Sequence, residues 1–146
     1  MKLLVAADGS AKLRTAALPA IADLADDVSP EVFVLHVVHA ASEAWSDEEL
    51  KRVMAERQHR MEELVAEADF AVQVLVEALP YGGEVDHYIT LRAADLEVDA
   101  IVVTSKRATG LMAGLFGSVA QGVLRDSPVP VLVVRPPLED SEGDAD

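Results

Sequence analysis

Gly117 and Ser118 stand where an apolar, helix-spaced segment begins, and that position has a chemistry of its own. The first turn of a helix carries backbone N–H groups with no intrahelical partner, and the helix dipole adds positive potential there. An anion suits such an end. Glycine lets the backbone approach a phosphate, and the serine hydroxyl adds a donor. The plainer alternative is that Gly117 turns the loop and Ser118 caps the helix. Gly110 and Gly114, just upstream, favour a phosphate loop. No glycine is followed by Lys and Ser or Thr, so there is no Walker A loop, and no Gly-x-Gly-x-x-Gly follows the first apolar run.

Asp8 closes that first run. A carboxylate there can accept hydrogen bonds from a sugar hydroxyl or an exocyclic amine, or help to hold a divalent cation. The alternative is an Asx-turn. Lys106 and Arg107 are adjacent cations in an acidic chain. Arginine grips phosphate in a fork and lysine acts as a point charge, unless both are simply solvated. His36 and His39 fall at or near a strand end, where alternation sends their rings to opposite faces, so they do not chelate one metal. His59 and His87 are isolated on helices. No Gly-x-Ser-x-Gly elbow and no Ser/His/Asp set is legible, so no catalytic residue is assigned.

These residues are positioned by a regular alternation. Leu3-Leu4-Val5-Ala6-Ala7 is apolar on both faces, as a buried parallel strand must be. Leu13, Ala16, Ala17, Ala20, Ile21 and Leu24 are spaced as one helix face, with Ser10 as the expected N-cap. Val32 to Val38 reads as a second buried strand. Ser46 and Glu49 form a capping box, and Trp45 with Leu50 fits a hydrophobic staple, which is the role assigned to Trp45. Leu50, Met54, Arg57, Met61, Leu64 and Ala68 mark one face of a long helix, and Arg57 interrupts its apolar stripe. Phe70 to Ala78 is a third strand, and Val85 to Leu96 a third helix. Ala100 to Val103 is a fourth strand. A glycine-bearing loop runs from Thr104 to Phe116. A fourth helix opens at Gly117-Ser118 and stops at Ser127-Pro128, and Val129 to Val134 is a last strand.

The order β-α-β-α-β-α-β-α-β implies an α/β fold, a single open five-stranded parallel sheet with helices on both faces and right-handed crossovers. Ligands in such sheets bind at the carboxyl ends of the strands where the strand order reverses. For the order 3-2-1-4-5 that crevice lies between the first and fourth strands, next to Ala6 to Ser10 and Thr104 to Ser118.

Net charge is −14 over 146 residues, with 26 acidic and 12 basic side chains and no cysteine. Disulfides and thiolate chemistry are excluded. The chain lacks the basic face that nucleic acid requires and the polybasic patch that a membrane surface requires. No apolar run approaches the ~20 residues of a membrane span, and the acidic turn at Asp8 does not suit a signal peptide. A cytoplasmic protein is expected. The last strand, if it is the sheet edge, exposes unpaired backbone and valines, so a homodimer through Val129 to Val134 is expected.

The residues just described resemble the universal stress protein (UspA-like) family. Leu3-Leu4-Val5-Ala6-Ala7-Asp8-Gly9-Ser10 is similar to its opening strand, Val34-Leu35-His36-Val37-Val38 to its second, and Asp99 to Pro136 to its closing signature. The resemblance covers residues 1–136, the expected domain, and leaves 137–146 as an acidic tail read as disordered. It implies an adenine-nucleotide alpha-hydrolase-like fold and a stress-response regulatory module with a protein partner not legible in the sequence. It implies a site for ATP or AMP, with Mg²⁺ accompanying it. By resemblance Ala6, Ala7, Asp8 and Val38 line the base and ribose pocket, and Gly117, Ser118 and Val119 bind phosphate, with Gly114 in the same loop. The family's nucleotide-binding branch is marked by Gly, two residues, Gly, nine residues, then Gly followed by Ser or Thr. Here Thr104 and Arg107 replace the first two glycines. A Cβ then stands where backbone should approach ligand, and an enforced positive φ costs roughly 1–2 kcal/mol. A charged hydrogen bond from Arg107 returns about 1.5–3 kcal/mol. The alternative is a nucleotide-free dimeric interaction protein of the other branch. Any catalysis would be slow ATP hydrolysis.

Glu139, Asp140, Glu142, Asp144 and Asp146 crowd the last eight positions, and the remainder is acidic without them. Two origins fit: a high-salt cytoplasm that screens dense carboxylates, or an ordinary acidic bacterial protein. Thermal melts from low to multimolar salt separate them. Equal stability throughout discards the first.

Overall fold

In the computed structural model, residues 1–25, 29–40, 44–105 and 117–136 are described. The five strands are β1 (Lys2–Ala6), β2 (Glu31–Val38), β3 (Ala71–Ala78), β4 (Ala100–Thr104) and β5 (Val131–Val134). They pair in parallel in the order β3-β2-β1-β4-β5, as the alternation predicts. Leu4 at the centre stands level with Phe33 on one side and Ile101 on the other. The acidic tail lies outside the described residues.

Strand alternation divides the core into two layers. Leu3, Val5, Val32, Val34 and Val102 pack against Leu13, Ile21, Met61 and Leu64. These come from a π-helical turn (Leu13–Ala17), α1 (Leu18–Leu24) and α2 (Asp47–Val65). Leu4, Phe33, Leu35, Ile101 and Val103 pack instead against Ile89, Ala93, Ala120 and Val123. These belong to α3 (Val85–Asp95) and α4 (Ser118–Asp126). Fully burying a leucine or isoleucine such as Leu4 or Ile101 contributes about 1.5–3 kcal/mol.

Three local differences from the sequence expectation have physical causes. The first helix begins as a wide turn in which the Leu18 N–H reaches the Leu13 carbonyl. Pro19 follows and has no N–H, so Thr15 lacks its α-helical donor, and the wide turn absorbs the mismatch. Ser10 is not the cap of that segment, although its Oγ accepts from the Lys12 N–H at 3.3 Å. β5 starts at Val131 rather than Val129, because the Ser127 hydroxyl accepts from the Val129 N–H (3.1 Å) and donates to its carbonyl (2.6 Å). Pro130 then brings no N–H to the ladder. The capping box forms as expected, with Ser46 Oγ accepting from the Glu49 N–H at 3.1 Å and Glu49 Oε1 from the Ser46 N–H at 3.2 Å.

Two contacts fix α3. It ends in a left-handed Glu97 (φ 54°), a conformation that glycine adopts more cheaply. Against α4 it comes so close that a Cβ built on Gly122 would lie 2.7 Å from the Asp86 Cβ. Toward the sheet edge, Arg92 grips Glu77 of β3 with a fork of 2.8 and 3.0 Å, and the Tyr88 hydroxyl donates to the same carboxylate at 2.7 Å. Burial pushes the Glu77 carboxyl up, but these hydrogen bonds outweigh it and hold the group below its ordinary 4.5. Burial and the bond to Glu77 push the Tyr88 hydroxyl up to about 12.

A depressed carboxyl stabilises the fold above its unfolded value and loses that contribution as pH falls through its folded value. The gap in stability between the wild type and Glu77→Gln is therefore full at neutral pH and closes below pH 4.5. Arg92→Lys, which has no fork, costs about 1–2 kcal/mol at neutral pH, measured by urea denaturation.

Candidate functional site

β1 is the central strand, flanked by β2 and β4. The Ala7 N–H still donates to Leu35 O at 2.9 Å, after which the chain turns. Asp8 Oδ1 accepts from the Ser10 N–H at 2.9 Å, an Asx-turn, and Gly9 takes φ +94°. The turn does not exhaust the carboxylate. Asp8 is exposed, and its Oδ2 has no hydrogen bond among the described residues.

The turn is held from beneath by His36. This side chain of β2 is 3% exposed. Its Nδ1 lies 2.9 Å from Ala7 O, and its Nε2 lies 2.9 Å from Arg57 Nη1 of α2. A carbonyl only accepts and a guanidinium only donates. The ring therefore carries its proton on Nδ1, donating to Ala7 and accepting from Arg57. Gly9 passes over the same ring, with its missing Cβ 3.4 Å from His36 Cε1.

A cavity of about 320 Å³ opens above this arrangement. Ala6, Ala7 and Asp8 form one wall, and Leu35 to Val38 with His39 form another. Trp45 and Arg57 close it from α2 and its approach, and Val85, Ile89 and Val119 from α3 and α4. A cavity of this size with an apolar lining and few polar groups has the character of a small-ligand site. A second cavity adjoins it and shares His39, Val85 and Val119. Its other lining residues are Ser118, Gly83, Glu84 and Asp86.

The sequence-derived residues separate into groups. Ala6, Ala7, Asp8, Val38 and Val119 border the main cavity, and Ser118 and Val119 border the adjoining one. Thr104 and Gly117 border neither. Thr104 continues β4 in register with Val134 and does not have the positive φ feared for a replaced glycine. Gly117 is the N-cap of α4 at φ −71° and ψ 167°, a conformation open to any residue. It contributes no side-chain oxygen, so the first amides of α4 have no capping side chain; Ser118 is the first helical residue, not the cap. Arg107 and Gly114, with Lys106 and Gly110, lie outside the described residues.

Among the lining residues that sequence reasoning missed, four have polar or aromatic side chains. Strand alternation sends His36 and His39 to opposite faces, yet both border one cavity, because β2 ends at Val38 and alternation stops there. Arg57 was readable as the polar break in an apolar stripe. Trp45 borders the cavity in addition to any part it has in the helix start. Among the described residues, no cluster of three or more His, Asp or Glu side chains is placed to hold a metal.

His36→Ala leaves the Ala7 carbonyl and Arg57 without their shared partner and opens a void. A loss of about 2–4 kcal/mol is expected in urea denaturation.

A model of the universal stress protein family matches residues 1–135. Universal stress protein YxiE of Bacillus subtilis (strain 168) is 31% identical, covering 92% of this chain and 98% of its own length. The solved structure of hypothetical protein MJ0577 superposes with a TM-score of 0.73 at 28% identity, over 93% of this chain and 96% of that one. The universal stress protein from Archaeoglobus fulgidus, solved in complex with dAMP, has the same fold, with a TM-score of 0.64 at 21% identity over 92% and 97% of the two chains. No described helix is long and apolar enough to cross a membrane. With its 3-2-1-4-5 parallel sheet matched from end to end, this chain belongs to the universal stress protein family.

Proposed function

We propose that the chain is a cytoplasmic, nucleotide-responsive regulatory module that binds an adenine nucleotide, ATP or AMP, in the cavity at the carboxyl ends of β1 and β2. The observation that carries this reading is the cavity itself: about 320 Å³, with Val38, Val85, Ile89 and Val119 as its apolar lining, and at its rim the Asp8 oxygen that has no hydrogen bond among the described residues. A base suits the apolar part, and a ribose hydroxyl donates to Asp8. Phosphates meet the uncapped amides of α4 at Ser118 and Val119, where the helix dipole favours negative charge. The complex of the Archaeoglobus fulgidus relative with dAMP supports an adenine ligand. Glu84 and Asp86 border the phosphate end, so a triphosphate enters there best as its Mg²⁺ complex, with these carboxylates or Asp8 close to the ion.

Regulation requires that ligand affinity differ between two states of assembly. The half-exposed edge of β5, Val131 to Val133, is the surface through which two copies pair in this reading. The second reading, a nucleotide-free dimeric interaction protein, is favoured by Thr104 at the first glycine position and by the two carboxylates beside Ser118.

Calorimetric titration with ATP or AMP in the presence of Mg²⁺ is expected to give micromolar to submillimolar binding. Asp8→Asn keeps the Asx-turn acceptor but removes the charge, and it weakens binding about tenfold, the worth of one charged hydrogen bond. Gly117→Val keeps the N-cap conformation but sets a branched side chain beside the first amides of α4, and it is expected to weaken phosphate-bearing ligands while leaving the oligomeric state unchanged. No heat at millimolar nucleotide discards the first reading in favour of the second.

A further inference from the structure

Arg57 has no carboxylate partner among the described residues, in a chain with more than two acidic groups for each basic one. Its helix neighbours at three and four positions are Val53, Met54, Arg60 and Met61, so α2 offers it no ion pair. It is half-buried, and a single side-chain bond, from Nη1 to His36 Nε2, fixes its direction. A guanidinium has five N–H donors. Four of them make no hydrogen bond among the described residues, and the group lines the main cavity. Burying an arginine part-way with most of its donors unused is costly unless something else accepts from them.

The position selects the acceptor. Arg57 and Trp45 border the main cavity and not the adjoining one, whereas Ser118 borders the adjoining one and not the main cavity. Phosphates at the start of α4 thus lie in the adjoining cavity, beyond Val85, Val119 and His39, which border both. Arg57 shares the main cavity with the apolar side chains of Trp45, Val38 and Ile89. The group that fits is a heteroaromatic ring whose edge carries acceptor nitrogens.

Resting on the nucleotide reading above, we propose that Arg57 is a base-recognition residue, held by His36 so that its guanidinium donates to a ring-nitrogen acceptor of the bound base. His36 is the positioning residue: its one ring joins Ala7, next to the ribose-facing Asp8, to the donor that reads the base.

Trp45 is the only tryptophan and lines the cavity, so its fluorescence reports binding directly. Titrate wild type and Arg57→Met with adenosine, AMP and Mg·ATP, and with 1-, 3- and 7-deazaadenosine, each of which lacks one ring acceptor. Arg57→Met is expected to weaken adenosine, AMP and Mg·ATP by the same factor, about tenfold. One deaza analogue is expected to bind wild type about tenfold more weakly than adenosine and to bind R57M as well as adenosine does. Arg57→Lys keeps the charge without the fork, guards against a folding defect, and is expected to lose the same discrimination. Unchanged affinity in R57M or R57K, a loss that grows with phosphate number, or analogue discrimination that survives the substitution overturns the assignment while leaving nucleotide binding intact. If wild type binds no adenine compound at millimolar concentration, the nucleotide reading fails and the assignment falls with it.

Discussion

Right-handed crossovers impose the constraint on which everything else here depends. From β1 the chain moves outward through β2 to β3, and this places α1 and α2 on one face. The next crossover carries it back past β1 to β4 and on to β5, and this places α3 and α4 on the other. The main cavity lies where β1 and β2 end, between α2 on one face and α3 and α4 on the other. Its rim collects the end of β1, the end of β2 and the start of α4 for topological reasons, before any side chain is chosen.

Side chains then decide what that cavity is good for. A central strand apolar on both faces has no polar group of its own to aim, so the carboxyl end of β1 is anchored from the neighbouring strand. His36 does this from the buried side of β2, stitching the Ala7 carbonyl to a guanidinium on α2. The ring needs only one proton placement to satisfy both partners, which suits a buried group with no solvent to correct it. Three elements are thereby held in one hydrogen-bonded line under the Asp8 turn.

Much of this was legible in the sequence. Continuous apolar runs such as Leu3–Ala7 and Val32–Val38 identify parallel strands, and the alternation with helices leaves few topologies to choose from. Asp8 and the Gly117-Ser118 helix start were visible because turn and cap chemistry is local. What escaped notice depends on packing between distant segments. Arg57 is 21 residues from His36, and only the crossing of α2 over β2 brings them together. The start of β5 differs because valine spacing reads through Val129, whereas the Ser127 hydroxyl takes that residue's backbone. Strand periodicity likewise misled at His39, since a pattern of two applies only while the strand lasts.

The close approach of α3 and α4 at Gly122 has an evolutionary consequence. Arg125 on the same helix leans toward Asp86 at 3.7 Å, so the carboxylate fills the space above the glycine and also faces a cation. Positions 86 and 122 therefore cannot drift separately. A lineage that gains even an alanine at 122 must first shorten residue 86 or accept two helices pushed apart, and since α3 and α4 together wall the cavity, the history of this pair is written into the width of the pocket.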